Sequence, residues 1–270
     1  MKPRTPGFWL IVATVGLLAL LPIQALAGMS PEEVKMFTDE MKKAEKGDRV
    51  AQYTLGNCYY NGAGVAKAKA QAVSWYRKAA EQGLAQAQYN LGVCHEYGTG
   101  VPKDFVQGVS WYRKAAEQGL AQAQLNLGIC YFKGEGVTKD QVQAAAWWRK
   151  AADQGYADAQ SRLGLSYELG YGVAKDQVQA VSWYRKAAEQ GHAKAQSYLG
   201  ICYQFGLGVA KDEIEAYAFY DLAKITEDMT RKLYVLELTL SPAQIAAGQK
   251  RSIELQKKIA AKIAAKKPVK

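Results

Sequence analysis

Four cysteines, two histidines and a few register-matched carboxylates are the residues of this 270-residue chain whose types could do chemistry. Cys58, Cys94, Cys130 and Cys202 sit at one position of a 36-residue period, with Ser166 in the remaining copy. They form no C-x-x-C pair, and their spacing matches no zinc-ligand pattern. Equivalent positions on stacked helices lie roughly 10 Å apart, beyond the roughly 7 Å between Cα atoms that a disulfide spans. The expectation is four free, buried thiols acting as small apolar residues. His95 takes the place of a recurring tyrosine and reads as a packed or rim residue. His192 stands where the other copies read Asp48, Leu84, Leu120 and Tyr156. Neither histidine lies in a metal-ligand spacing or near a G-x-S-x-G nucleophile motif. Glu96 and Glu168 share a register two periods apart, too distant for paired-carboxylate hydrolysis. The recurring G-x-G-V segments lack the third glycine and preceding strand of a dinucleotide fingerprint. These patterns assign no catalytic residue, metal or cofactor.

The other chemically suggestive feature is "AVSWYRKAAEQG" at 72–83, which returns with small changes three more times. Aromatics beside cations could stack and neutralise a nucleic acid if both lay on one surface. At about 100° per residue, Ala72, Val73, Trp75, Tyr76, Ala79 and Ala80 fall on one broad side. Ser74, Arg77, Lys78 and Glu81 fall on the other. The wheel therefore predicts packed aromatics and solvated cations, with Arg77 able to meet Glu81 one turn on. That arrangement speaks against nucleic acid as a partner.

The elements that must position these residues come from the period itself. Gly47, Gly83, Gly119, Gly155 and Gly191 are spaced by 36 residues. Leu-Gly pairs recur at Leu55, Leu91, Leu127, Leu163 and Leu199, and G-x-G-V turns begin at Gly62, Gly98, Gly134, Gly170 and Gly206. Each copy reads as a helix A, a glycine turn and a helix B. Asp104, Asp140, Asp176 and Asp212 are predicted N-caps of helix B, with Gln107, Gln143, Gln179 and Glu215 three residues on. Ala68 holds that place in the first copy, so its helix should start less sharply. Helix B ends before Gly119 and its equivalents, which suit a left-handed C-terminal residue.

Helix A divides into a constant and a variable half. Ala87, Gln88, Leu91, Gly92 and their equivalents recur, and the glycine lets a neighbouring helix approach closely. Tyr53, Tyr89, Leu125, Ser161 and Ser197 share one variable position; Thr54, Asn90, Asn126, Arg162 and Tyr198 share the next. A third holds Tyr60, Glu96, Phe132, Glu168 and Gln204, and a fourth holds Asn61, Tyr97, Lys133, Leu169 and Phe205. The constant half is expected to build the frame and the variable half to meet a partner. The expected contact residues are Tyr89, Asn90, Tyr97, Arg162, Tyr198 and Phe205, because tyrosine and arginine are effective interface anchors.

"AQYNLGVCHEYGTGVPKDFVQGVSWYRKAAEQG" resembles the Sel-one-like repeat, a relative of the tetratricopeptide repeat. The shared features are the A-Q-x-x-L-G helix, the G-x-G-V turn, the aspartate helix start and the W-Y-x-K-A-A helix, in five units in register. The resemblance implies an all-α fold: a right-handed α-solenoid of five 36-residue helix-turn-helix repeats with capping helices at both ends. It also implies a surface that binds proteins. Cysteine-rich relatives bridge helix A to helix B within each repeat, which needs two cysteines where this chain has one. Activities proposed for that branch suggest an alternative, an envelope enzyme acting on peptidoglycan or β-lactam-like ligands.

The domain reading places a signal peptide at 1–27, an N-terminal capping helix at 28–46, repeats at 47–82, 83–118, 119–154, 155–190 and 191–226, and C-terminal helices with a basic tail at 227–270. The signal reading rests on Lys2 and Arg4, an apolar stretch to about Leu21, and a small-x-small site ending at Ala27. It predicts an exported bacterial protein, periplasmic or secreted. Ser30, Pro31 and Glu33 form a capping-box start for the first helix. The fifth repeat departs from the pattern at Phe219, Lys224 and Glu227, and Ser241 to Gln244 opens a last helix. On its wheel Ile245, Ile253, Leu255, Ile259 and Ile263 share one side; Lys250, Arg251, Lys257, Lys258 and Lys262 lie largely on the other. Residues 249–270 hold eight cations and one acid, whereas 28–248 hold 25 cations and 24 acids. A neutral body again argues against a nucleic-acid face. The basic end leaves weak contact with an anionic surface as a second reading. The leading expectation is a noncatalytic interaction scaffold for a protein or peptide.

Overall fold

The computed structural model describes residues 30–223 and 227–266. The expected signal peptide and the departures at Lys224 and Glu227 lie outside the residues and side chains described. The described residues form 13 helices and no strand. The chain divides into two compact units at Lys103/Asp104.

The first unit contains α1 (Pro31–Glu45), α2 (Arg49–Asn61), α3 (Lys69–Glu81) and α4 (Ala85–Tyr97). Ser30 caps α1 through a complete capping box with Glu33. Ala68, before α3, makes no side-chain cap. The second unit contains α5 (Phe105–Glu117), α6 (Ala121–Lys133), α7 (Gln141–Asp153), α8 (Ala157–Leu169), α9 (Gln177–Ala188), α10 (Ala193–Phe205), α11 (Glu213–Leu222), α12 (Glu227–Glu237) and α13 (Pro242–Lys266). Asp104, Asp140, Asp176 and Asp212 each cap a B helix by accepting from backbone N–H groups in its first turn. Helix A ends on a left-handed glycine, as at Gly134 with φ of 79°. There the chain must turn without a Cβ penalty.

Within each unit, paired glutamines join one helix pair to the next. The buried Gln160 donates from Nε2 to the Ala152 carbonyl at 3.1 Å, a group near the end of α7 that also accepts from the Gly155 N–H at 2.9 Å. Gln160 Oε1 then accepts from Gln190 Nε2 at 2.8 Å. The same relay joins Ala116, Gln124 and Gln154. In the first unit it joins Ala44, Gln52 and Gln82, so α1 takes the part of a helix B. The core between paired helices is built from alanines and from leucines such as Leu55, Leu127, Leu163 and Leu199, all fully buried.

The recurring Leu-Gly glycine has a specific neighbour. A Cβ added at Gly56 would lie 2.4 Å from the Tyr76 ring, and one at Gly164 would lie 2.6 Å from Tyr184. The second aromatic of α3, α9 and α11 therefore lies against helix A of its own repeat, with Tyr220 2.7 Å from a Cβ at Gly200. Trp148 does the same at Gly128.

The wheel's separation of aromatics from cations is corrected. Lys78 Nζ lies 3.9 Å from the centre of the Trp75 ring, and the same contact joins Lys114 to Trp111, Lys150 to Trp147 and Lys186 to Trp183. Residues three apart are helix neighbours, and a long lysine stem folds back over the ring. The preceding arginine reaches the next A helix: Arg113 donates to Tyr131 Oη at 2.8 Å and Arg185 to Tyr203 Oη at 2.9 Å. Arg149 bonds Tyr167 Oη in the same way. The cations close the seams between repeats.

Helix α13 packs along α11 and reaches the end of α9. A Cβ at Gly248 would lie 2.6 Å from the Tyr217 ring. Arg251 Nε bonds Glu215 at 2.6 Å, Ser252 Oγ bonds Asp221 at 2.5 Å, and Lys262 bonds Glu189 at 2.7 Å. Leu255 packs against the cluster around Phe219. This corrects the division of α13 into an apolar and a basic side. Ile253 is exposed, while Arg251 and Lys262 lie on the docking edge. The fifth repeat's departures explain the change. Glu215, Phe219, Asp221 and Leu222 replace the Gln, Trp, Arg and Lys of earlier copies. Two of these replacements are acceptors for α13, and the smaller ring makes room for it.

No described helix is long and apolar enough to cross a membrane. The four cysteines are buried and form no disulfide among the described residues.

Candidate functional site

The variable positions of helix A are only partly available to a partner. Leu125, Ser161 and Ser197 are buried. Glu168 accepts from Tyr184 Oη at 2.5 Å, and Gln204 accepts from Tyr220 Oη at 2.7 Å. Where helix B carries Trp148 instead of tyrosine, the matching residue is Phe132, with ring centres 5.5 Å apart. In the third, fourth and fifth repeats this position matches the aromatic it meets, an acceptor for a hydroxyl or a ring for an indole; in the first, Tyr60 sets a ring against Tyr76, whose hydroxyl finds Asn57 instead. The position belongs to the frame, which corrects its placement among freely variable positions.

In the first unit, Tyr89 and Asn90 are half-buried on α4, and Tyr97 at its end is 68% exposed. Asn90 hydrogen-bonds the Tyr76 hydroxyl, which donates to Asn57 Oδ1 at 2.8 Å. Burial raises the Tyr76 phenol above its ordinary value. Asn90 is therefore engaged in holding α3.

In the second unit, Arg162 and Tyr198 come together in a pocket of about 120 Å³ between α8 and α10, with Asp158, His192 and Lys194. Arg162 is held by the aromatic wall behind it, its guanidinium carbon 5.6 Å from the Trp148 ring centre. It makes no side-chain hydrogen bond among the described residues. Desolvation lowers its pKa, opposed by the nearby Asp158 charge. Tyr198 stacks on Tyr184 with centres 4.9 Å apart. His192 closes the far edge. Its Nδ1 accepts from Ala195 N at 3.1 Å, so the Nε2 side donates toward Asp158 Oδ1 at 3.3 Å. Phe205, at the end of α10, is 64% exposed and lies outside this pocket.

Sequence reasoning picked out Arg162 and Tyr198 but missed Asp158 and Lys194. The available signal was His192, a polar residue where three copies carry an apolar or aromatic one. His95 is buried. No cluster of three or more metal-ligating side chains occurs among the described residues. The tryptophan faces that could have stacked on a base are covered by lysines of their own helices.

Comparison with known proteins defines the class. The Sel1 repeat model matches residues 49–84, 85–120, 121–156, 157–192 and 193–224, so the chain belongs to the Sel1 repeat family. Proteins of this family generally mediate protein–protein interaction on a noncatalytic scaffold fold. Among solved structures, the chain is similar to a Sel1 repeat protein from Oxalobacter formigenes, at 34% identity and a TM-score of 0.72 over 82% of this chain and 91% of that one. It is also similar to c5321, a protective antigen of uropathogenic Escherichia coli with an SLR fold, at 31% identity and a TM-score of 0.57. That match covers 88% of this chain and 60% of the other. A search of curated proteins finds no match.

Proposed function

We propose that the protein is an exported, noncatalytic adaptor that captures a protein or peptide on the A-helix faces of its repeats. The observation that carries this reading is Arg162. Its guanidinium is partly desolvated against Trp148, makes no side-chain hydrogen bond among the described residues, and borders a pocket shared with Tyr198 and Lys194. A donor-rich group held in this way suits a partner's carboxylate or carbonyl. Tyr97 and Phe205 add exposed aromatic area on their respective units. Contact of the basic tail with an anionic surface is secondary in this reading, because Arg251 and Lys262 already pair with Glu215 and Glu189.

The test is a crosslinked pull-down from bacterial envelope extract, read by mass spectrometry, with the mature protein and with Arg162→Glu. The expected result is a reproducible partner set that Arg162→Glu loses at unchanged melting temperature. An identical set captured by both proteins would remove the Arg162 pocket from the interface.

A further inference from the structure

A second cavity, of about 360 Å³, opens between α9, α11 and α13, away from the Arg162 pocket. Its size lies in the range of small-molecule sites, which starts at roughly 300 Å³. The floor is apolar. Phe219 is buried and stacks on Tyr203, with ring centres 5.8 Å apart and planes 5° from parallel. Leu255 and Ile259 of α13 face it. The rim carries four cations and two carboxylates, and both carboxylates are already taken. Glu215 is held by Arg251 and Glu189 by Lys262. These two ion pairs pin α13 at points eleven residues, or about 16 Å, apart, and the cavity lies between them. Arg185 points a guanidinium N–H at the Tyr203 hydroxyl, a neutral partner, at 2.9 Å. Lys258 has no acid partner among the described residues.

We propose that this cavity binds a small amphiphilic anion, its hydrocarbon body on the Phe219–Leu255–Ile259 floor and its charged head between Lys258 and Arg185. An apolar floor gains from excluding water, and the uncompensated rim charge selects an anion over a neutral or cationic molecule. The cavity depends on features found only in the fifth repeat. Phe219 replaces the larger tryptophan, and Asp221 and Glu215 supply the polar contacts that dock α13. The proposal is independent of the A-helix binding face.

The test is isothermal titration of the mature full-length protein with octanoate and with 1-octanol, repeated for Lys258→Glu and Leu255→Trp. Octanoate should bind saturably at one site, and octanol at least tenfold more weakly. Lys258→Glu, at an exposed side chain, should weaken octanoate at least tenfold at unchanged melting temperature. Leu255→Trp, which fills the cavity, should abolish binding. The proposal is overturned by no saturable octanoate binding, by equal affinity for octanol, or by full affinity in Lys258→Glu. The last criterion decides even if Leu255→Trp does not fold.

Discussion

At the scale of residues, the recurring "A-Q" of helix A shows how far one sequence can be read. Its constancy marked Gln88 and its equivalents as part of the frame. Its task stayed hidden because it depends on where the previous helix ends and brings a carbonyl within reach, a tertiary fact. Gln160 adds a second hydrogen bond to the Ala152 carbonyl and accepts from Gln190, so one amide closes two seams. Leucine at 160 keeps the volume and removes both bonds. Each such hydrogen bond contributes about 0.5–1.5 kcal/mol net, so the two together are worth about 1–3 kcal/mol. Urea unfolding of Gln160→Leu should show a loss in that range. Gln190→Ala should lose less, since Gln190 is half-exposed and its removal leaves Gln160 bonded to Ala152. Equal stability of Gln160→Leu and the parent would show that the relay contributes nothing.

At the scale of elements, helix starts and stops were the most legible features, because capping is local chemistry. The aspartates before α5, α7, α9 and α11 cap as their spacing predicts, although among the described residues the reciprocal side-chain bond forms where serine leads, at Ser30 and Ser241. The lysine–tryptophan and arginine–tyrosine contacts were less legible. A helical wheel assigns directions to Cα–Cβ bonds, whereas long cations travel several ångströms beyond them. The Ala68 start offers a direct test of the local argument. Ala68 has φ −147° and ψ 87°, close to Asp104 at φ −152° and ψ 101°, so an aspartate there needs no backbone change. Ala68→Asp should bond the Gln71 N–H and stabilise the protein by about 1 kcal/mol. A thermal melt should show a rise in midpoint. An unchanged or lower midpoint would mean that the α3 start is set by packing rather than by its cap.

At the scale of the whole molecule, the repeat count and helix order were readable because the five copies stay in register. The placement of α13 and the cavity beneath it were not, since both arise where the fifth copy stops matching the others. One property does extend through both units: titratable groups buried in their neutral form. Cys94 in the first unit has its thiol raised to about 11, and Cys202 in the second to about 12, in each case by burial. Burial likewise raises the phenols of Tyr76 and Tyr184, the second helped by the Glu168 carboxylate that accepts its hydrogen bond. In the unfolded chain these thiols and phenols ionise near their ordinary values of 9.0 and 10.0. Above about pH 9 the folded chain therefore holds protons that the unfolded chain has released, and stability falls as pH rises. Below that pH the contribution is fully present and does not change. The melting temperature should stay level with respect to these groups up to about pH 9, then fall steadily toward pH 12. Cys202→Ala keeps a small apolar group and removes one titration, so its alkaline decline should be shallower than the parent's. Thiol reagents should label the native protein slowly at pH 8 and all four cysteines promptly in denaturant. Fast native labelling of Cys94 or Cys202, or a decline of the same steepness in Cys202→Ala, would show that the buried thiols do not set the alkaline limit.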